Sequence, residues 1–200
     1  KRQATPDRAD EEALGQVYED VAYQYEILDA IHDGWLVPIM MDTLEVDAID
    51  LRNVGEVAGD LNQGELAEVM EFEGVLHGVA APILDIASSL KTLVFTTSVK
   101  HAARLSEILN RKKPGSSAMV CGKTPKDERR SIMEQYRAGR IQYLCNVGVA
   151  TEGFDVPDIE CVAIARPTTS RALFAQMVGR GTRALAGVVD GLERGGERVN

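Results

Sequence analysis

Four short apolar runs separated by amphipathic segments constrain this chain more than any other feature of its sequence. The runs lie at 92–97, 118–121, 141–147 and 161–165, and the amphipathic segments at 99–111, 127–138 and 170–183. Continuous apolar runs that alternate with helical patterns are typical of parallel strands covered by helices on both faces. The sequence therefore predicts an α/β fold with a mostly parallel sheet flanked by helices.

The first ninety residues follow a less regular pattern. Alternating polar and apolar residues predict strands at 17–25 and 41–51, and helical patterns occur around 28–32, 66–72 and 76–90. At 200 residues and 44% hydrophobic content, the chain can bury one domain core and carry extensions. No apolar run approaches the roughly 18 residues of a membrane span, and no secretory signal begins the sequence, so we expect no membrane partner.

Charge divides the chain into two unlike parts. Residues 1–90 contain 4 basic and 20 acidic residues, a net charge of −16, whereas residues 91–200 contain 18 and 11, a net charge of +7. The basic part could hold phosphate and the acidic part would repel it. Two differently solvated surfaces without a shared purpose would give the same asymmetry, so charge alone does not decide between these interpretations.

The three cysteines are widely separated and form no C-x-x-C pair. Cys145 and Cys161 lie inside apolar runs, and Cys121 ends one. Buried free thiols in a reducing cytosol fit this pattern best, so we expect a cytoplasmic protein with neither disulfides nor a metal site in this chain.

Gln176, Arg180 and Arg183 form the strongest local signal. In a helix over 170–183 with Ser170 as its N-cap, these residues fall on one stripe. Two guanidinium groups held side by side attract an anion, and Gly179 and Gly181 would let a phosphate or a backbone approach. An exposed basic helix end that interacts with its own dipole explains the spacing equally well.

Two further loops follow predicted strands, where doubly wound folds place their ligands. Thr96, Thr97 and Ser98 end the first run ahead of a helix that carries Lys100, an arrangement that suits either anion binding or helix capping. The second loop extends from Asn146 to Pro157 and contains two glycines and an acid, which an ordinary connection could also contain.

Gly122, Lys123 and Thr124 imitate the end of an ATP-gripping P-loop. The pattern requires an earlier glycine where the chain has Ser117, and the residues between them form an apolar run. We therefore reject a P-loop here. We expect Thr124 to cap the following helix, with backbone N–H groups that could meet a nucleic-acid phosphate.

In this order and spacing, the loops resemble the C-terminal half of superfamily 2 helicases. The likeness is greatest to DEAD/DEAH-type enzymes related to type III restriction and phage helicases. The segments 93–98, 150–157 and 176–183 are similar to motifs IV, V and VI of that family, and 4–8 is similar to the end of motif III. Nothing in the sequence resembles motif I or the Asp-Glu-Ala-His box, so we interpret the chain as a fragment of a longer motor.

The resemblance implies a three-layer RecA-like fold, with specific roles for the residues singled out. Arg180 and Arg183 would be arginine fingers, with Gln176 ordering the hydrogen bonds of a cleft between two domains. Residues facing the nucleotide would be Glu152, Gly153, Asp155 and Gly179. Residues contacting nucleic acid would be Thr96, Thr97, Ser98, Lys100, Thr124, Asn146 and Val147.

ATP and Mg²⁺ are the implied cofactors, bound mainly by a first motor domain absent from this chain. The implied partners are that N-terminal RecA-like domain and a nucleic acid, DNA being favoured over RNA. We expect three parts: 1–34 as the end of the first domain and a linker, 35–187 as the C-terminal RecA-like domain, and 188–200 as a truncated extension.

Three alternatives to a helicase remain at this point. A double-stranded DNA translocase of restriction type would carry the same motifs without separating strands. A nucleic-acid-binding module with a degenerate motor fold would need no motif VI arginines. A small-molecule enzyme of doubly wound type would be expected to carry a G-x-G-x-x-G loop after a strand, which the sequence lacks.

Overall fold

A four-stranded parallel sheet forms the centre of the structure. The structure is a computed structural model that describes residues 25–148, 156 and 158–183, together with the backbone of 193–194 and 197–198. The sheet contains β3 (Thr92–Thr96), β4 (Ser117–Val120), β5 (Tyr143–Val147) and β6 (Cys161–Ile164), in the order β4-β5-β3-β6. Every pairing in it is parallel, which confirms the predicted sheet.

Six helices and two short hairpins complete the described elements. The helices are α1 (Ile27–His32), α2 (Gln63–Met70), α3 (Glu73–Ile86), α4 (Val99–Lys112), α5 (Lys126–Arg137) and α6 (Arg171–Val178). The antiparallel hairpins pair β1 (Glu56–Val57) with β2 (Asp60–Leu61), and β7 (Glu193–Arg194) with β8 (Glu197–Arg198).

Two hydrophobic clusters lie on opposite faces of the sheet. Because side chains alternate along a strand, Val94 of β3 joins one cluster while its neighbours Leu93 and Phe95 join the other. The first cluster contains apolar residues of α2, α3 and α4, and the second contains residues of α5 and α6. The result is a helix–sheet–helix arrangement, the three-layer fold that the sequence predicts.

The strand predicted at 41–51 is wrong. That segment forms no strand in the structure; it crosses helix α3 and places Val46, Ile49 and Leu51 against the first cluster. The crossing is close, because a Cβ added to Gly78 of α3 would lie 2.5 Å from Val46 Cγ1. The polar and apolar residues alternate because one face of this segment packs on a helix and the other is exposed. Among the described residues the segment has no partner strand, which a strand at a sheet edge would need.

The helix predicted over 170–183 is too long. Ser170 caps α6 as expected, its Oγ accepting from Leu173 N at 3.3 Å, but the helix ends at Val178. Gly179 is its C-cap, and the chain then turns to make an antiparallel bridge between Arg183 and Leu36. Thr182 O accepts from Val37 N at 2.9 Å. Glycine weakens a helix interior, and the pairing with Leu36 and Val37 requires extended backbone.

The structure also tests the predictions made for Thr124 and for the cysteines. The cap predicted at Thr124 is wrong: Pro125 is the N-cap of α5, and Thr124 Oγ1 instead accepts from Cys121 N at 3.0 Å. Cys121 and Cys145 are buried free thiols, whereas Cys161 is half-buried. Apart from Tyr25, the strand predicted at 17–25 lies outside the described residues, as does the motif III-like segment 4–8.

Candidate functional site

The loop after β3 is organised by hydrogen bonds within the chain. Thr96 Oγ1 donates to Asn146 O at 2.9 Å, and Ser98 Oγ caps α4 by accepting from His101 N at 2.9 Å. His101 Nδ1 accepts from Thr97 N at 3.3 Å and lies 3.0 Å from Thr97 Oγ1. Thr96 and Thr97 are buried, so this loop offers Ser98 and backbone groups to a partner.

Lys100 and Ser98 both contact one carboxylate, that of Glu71. Ser98 Oγ donates to Glu71 Oε1 at 2.6 Å, and Lys100 Nζ lies 2.8 Å from Glu71 Oε2. Burial opposes the charge on Glu71, but the bonds from Lys100 and Ser98 lower its pKa overall. Two groups predicted to meet nucleic-acid phosphate are therefore engaged by an acid whose role the sequence did not indicate.

The chain turns sharply after β5, and Asn146 near the end of that strand holds the turn. Asn146 is buried and its Nδ2 donates to Gly148 O at 2.7 Å, while Gly148 adopts a φ of +86°, a conformation that favours glycine. Asn146 therefore shapes the turn, and Val147 is half-buried beside it. The predicted nucleotide-facing residues Glu152, Gly153 and Asp155 lie outside the described residues, and Val156 packs into the second cluster.

Arg129 of α5 holds the loop after β4. Its Nη2 donates to the carbonyl oxygens of Cys121 and Gly122 at 3.0 and 3.2 Å. The side chains of Lys123 and Lys126 are exposed on either side of half-buried Thr124. This loop therefore presents cations around a fixed backbone turn. Its carbonyl groups face Arg129, which agrees with the rejection of a P-loop.

Arg166 links the loop after β6 to the β1–β2 hairpin. Its Nη2 lies 3.2 Å from Asp60 Oδ2, and Asp60 Oδ1 accepts from Thr168 Oγ1 at 2.7 Å and Thr169 N at 3.0 Å. Burial raises the pKa of Asp60, but the hydrogen bonds and Arg166 outweigh it and lower that pKa. Sequence reasoning missed this buried ion pair, because its members lie about a hundred positions apart.

Gln176, Arg180 and Arg183 do not share one helical stripe. Only Gln176 lies on α6; Arg180 is in the turn after it and Arg183 in the bridge to Leu36. Gln176 and Arg183 are exposed and Arg180 is half-buried. A Cβ on Gly181 would lie 2.7 Å from Val162 Cγ2, so this turn runs beside the outer strand β6, which pairs with β3.

The charge asymmetry of the sequence is partly neutralised inside the fold. In the part of the chain that the structure describes, ion pairs that join the acidic and basic parts include Asp60–Arg166, Glu71–Lys100 and Glu73–Arg104. Each takes its acid from residues 1–90 and its base from residues 91–200. The acidic part therefore serves in part as an internal counter-charge for the basic part, a third explanation beside the two that charge alone left open.

Comparison with known proteins decides the family. The pattern of the helicase conserved C-terminal domain matches residues 78–185, more than half of the chain and the whole sheet. The chain belongs to the helicase C-terminal domain family. The match includes all three motif-like segments from 93 to 183, so the family assigned from the sequence is confirmed.

Relatives that match nearly the whole chain include proteins named as ATP-dependent helicases and type I restriction subunits. The "Putative ATP-dependent helicase IRC3" of Saccharomyces cerevisiae is 34% identical over 90% of this chain, which covers 26% of that protein. A type I restriction enzyme EcoKI endonuclease subunit of Escherichia coli is 27% identical over 84% of the chain and 17% of its own length. This chain therefore spans about a quarter or less of the length of these two relatives.

A solved structure supports the fold. The Escherichia coli DEAD-box protein SrmB, crystallised with the regulator of ribonuclease activity A, superposes with a TM-score of 0.50 at 21% identity, covering 56% of this chain and 66% of that one. The RecA-like architecture predicted from the sequence is thereby confirmed. None of the helices in the described residues combines the length and hydropathy needed to cross a lipid bilayer.

Proposed function

We propose that this chain is the C-terminal motor domain of an ATP-dependent nucleic-acid helicase. In this proposal it supplies arginine fingers to an ATP site formed with a first RecA-like domain, and it contacts one nucleic-acid strand through the loops at the carboxyl edge of its sheet. Its relatives are much longer than this chain, which leaves ample sequence for that first domain.

The arginine turn after α6 is the observation that carries the proposal. Its backbone is fixed on both sides: Thr182 and Arg183 bond to Leu36 and Val37, and Gly181 lies against Val162. Thr182 is buried and its Oγ1 donates to Gly179 O at 3.2 Å, which closes the turn. A fixed turn with exposed Arg183 and half-buried Arg180 suits groups that must be in place before the reaction begins.

Arginine is the side chain suited to this role. Its planar guanidinium remains charged and donates two parallel hydrogen bonds to phosphate oxygens. Arg180 and Arg183 would neutralise charge on the terminal phosphate, and exposed Gln176 would order hydrogen bonds in the cleft. ATP with Mg²⁺, held by the first domain together with residues of the 152–155 loop, would supply the phosphoryl group.

A second surface would hold the strand. Ser98 and Lys100 at the start of α4 follow β3, and Thr124 just before α5 follows β4. Because both strands belong to the same parallel sheet, with β5 between them, their loops share its carboxyl edge. Thr96, Thr97 and Asn146 are buried and would fix the shape of these loops, which present Ser98 and Lys100 to the phosphates. We favour DNA as the partner, since type I restriction subunits are among the relatives.

ATP hydrolysis by the intact protein and by this chain alone tests the proposal. We expect the intact protein to hydrolyse ATP with stimulation by an oligonucleotide, and the purified chain to show negligible turnover, because it lacks the groups that bind magnesium and activate water. Turnover by the purified chain that Arg180→Ala abolishes would contradict this division of labour. A single-stranded DNA and an RNA oligonucleotide of the same sequence decide the nucleic acid.

A double-stranded DNA translocase is the second candidate function. The observation that favours it is the similarity to two type I restriction endonuclease subunits, both from Escherichia coli. A strand-displacement assay on the intact protein separates the candidates: a helicase releases the labelled strand of a partial duplex. A translocase hydrolyses ATP on the same duplex without releasing that strand.

A further inference from the structure

We propose that Glu71 competes with nucleic-acid phosphate for the start of helix α4 and thereby limits the affinity of the domain for its strand. This inference rests on the proposed function, since it concerns the surface assigned there to the nucleic acid. Nothing in the sequence singled out Glu71, which lies directly after α2 in the acidic part of the chain.

One carboxylate engages both donor side chains at the start of α4. Ser98 donates from Oγ to Glu71 Oε1 at 2.6 Å, and Lys100 Nζ lies 2.8 Å from Glu71 Oε2. A phosphate would bind through these same donors, because a hydroxyl and an ammonium group at a helix start are typical partners of phosphate oxygens. A strand that uses Ser98 and Lys100 must therefore displace Glu71 first.

Glu71 is held in position by contacts that leave its carboxylate directed to these donors. Its backbone N–H bonds to Ala67 O at the end of α2, and its carbonyl oxygen accepts from Arg104 Nη1 at 2.8 Å. Arg104 also pairs with Glu73, the first residue of α3. The segment between α2 and α3 is thereby tied to α4 at Arg104, one helical turn beyond Lys100.

The accessibility of the two partners favours competition over a purely structural role. Glu71 is largely buried, its side chain 15% exposed, whereas that of Lys100 is 68% exposed. An ion pair with so exposed a lysine adds little to folding stability, since water and salt screen it. Its larger effect is on any anion that approaches Lys100, because the ammonium group is already neutralised.

Equilibrium binding of a fluorescein-labelled oligodeoxythymidine of about 20 nucleotides to the intact protein tests the inference. We expect Glu71→Gln to tighten binding by about five-fold at low salt, in line with the strength of an exposed ion pair. The plot of log K against log[salt] should steepen by about 0.7, one further single-strand phosphate contact. Glutamine keeps the shape of the side chain and can still accept from Ser98.

Glu107→Gln is the matched control, because it removes the same charge from an exposed position on α4. Glu107 makes no contact with Ser98 or Lys100. We expect this control to leave both affinity and salt dependence unchanged. Unchanged or weaker binding by Glu71→Gln, or an equal gain in both variants, would overturn the inference.

The double variant Lys123→Gln/Lys126→Gln separates this inference from the proposed function. It removes the exposed cations beside Thr124, on the same proposed strand surface but away from Glu71. If the double variant weakens oligonucleotide binding while Glu71→Gln does not tighten it, the strand surface is assigned correctly and Glu71 does not compete for it. If the double variant changes nothing, the surface itself is wrong and the inference fails with it.

Discussion

His101 shows how a single buried residue fixes the loop at the end of β3. The imidazole is fully buried and accepts a hydrogen bond from Thr97 N at 3.3 Å. Burial lowers the pKa of His101 to about 4, although nearby Glu71 raises it in part. The folded protein therefore contains the neutral imidazole of His101, and the position of Thr97 depends on that form.

The stability of the domain should fall as pH decreases from about 6.5 to about 4. In that window the unfolded chain protonates His101 and the folded chain does not, so protons favour unfolding. The protonation of His101 in the unfolded chain should lower the free energy of unfolding of wild type by on the order of 2 kcal/mol between pH 7 and pH 5. Denaturant unfolding of wild type and His101→Gln at both pH values checks it. Equal losses in the two proteins would show that His101 is not the group responsible.

At the scale of elements, the turn after α6 depends on the absence of a side chain at one position. A Cβ on Gly181 would lie 2.7 Å from Val162 Cγ2, and valine has few alternative rotamers in a strand. The turn can therefore approach β6 only with glycine at 181. This close approach positions Arg180 and Arg183 on its two sides.

Gly181→Ala should lower the free energy of unfolding by about 1–3 kcal/mol, the cost of overpacking. Val162→Ala removes the methyl group that the new Cβ would meet, so the double variant should be more stable than the sum of the two single effects. A double-mutant cycle of denaturant unfolding measures this coupling. Strictly additive effects would contradict the contact between Gly181 and Val162.

The strands and helices between residues 92 and 178 could be predicted from the sequence, because apolar strands and amphipathic helices alternate there regularly. Errors arose where tertiary contacts decided the outcome. The alternation at 41–51 reflects Val46 packing on Gly78 of α3, and α6 ends where the chain leaves to pair with Leu36. Neither contact can be predicted from the local sequence pattern.

The candidate site could be predicted only in part, for the same reason. Sequence reasoning found the loops and the arginines, but it could not tell exposed Lys100 from buried Thr96 and Asn146. It also missed Glu71 and Arg166, whose importance comes from partners 27 and 106 positions away. Partners so distant in sequence are brought together only by the completed fold.

At the scale of the whole molecule, the proposal assigns two tasks to one domain, and different side chains would perform them. The loops after β3 and β4 lie at the carboxyl edge of the sheet, and the arginine turn runs beside β6, the strand that pairs with β3. In a motor the contacts to the strand must change while the ATP site opens and closes, so we expect the two tasks to use different side chains. Changes at one surface should therefore leave the other largely intact.

Arg183→Ala and Arg180→Ala in the intact protein test this account most directly, with Arg171→Ala at the other end of α6 as the charge-matched control. Both the oligonucleotide-stimulated ATP turnover and the oligonucleotide Kd are measured for each variant. We predict that the two variants lower turnover on the order of 10³-fold and change Kd by about two-fold or less, while the control changes neither. Normal turnover, or equal losses in turnover and affinity, would contradict the role of the arginine turn at the ATP site.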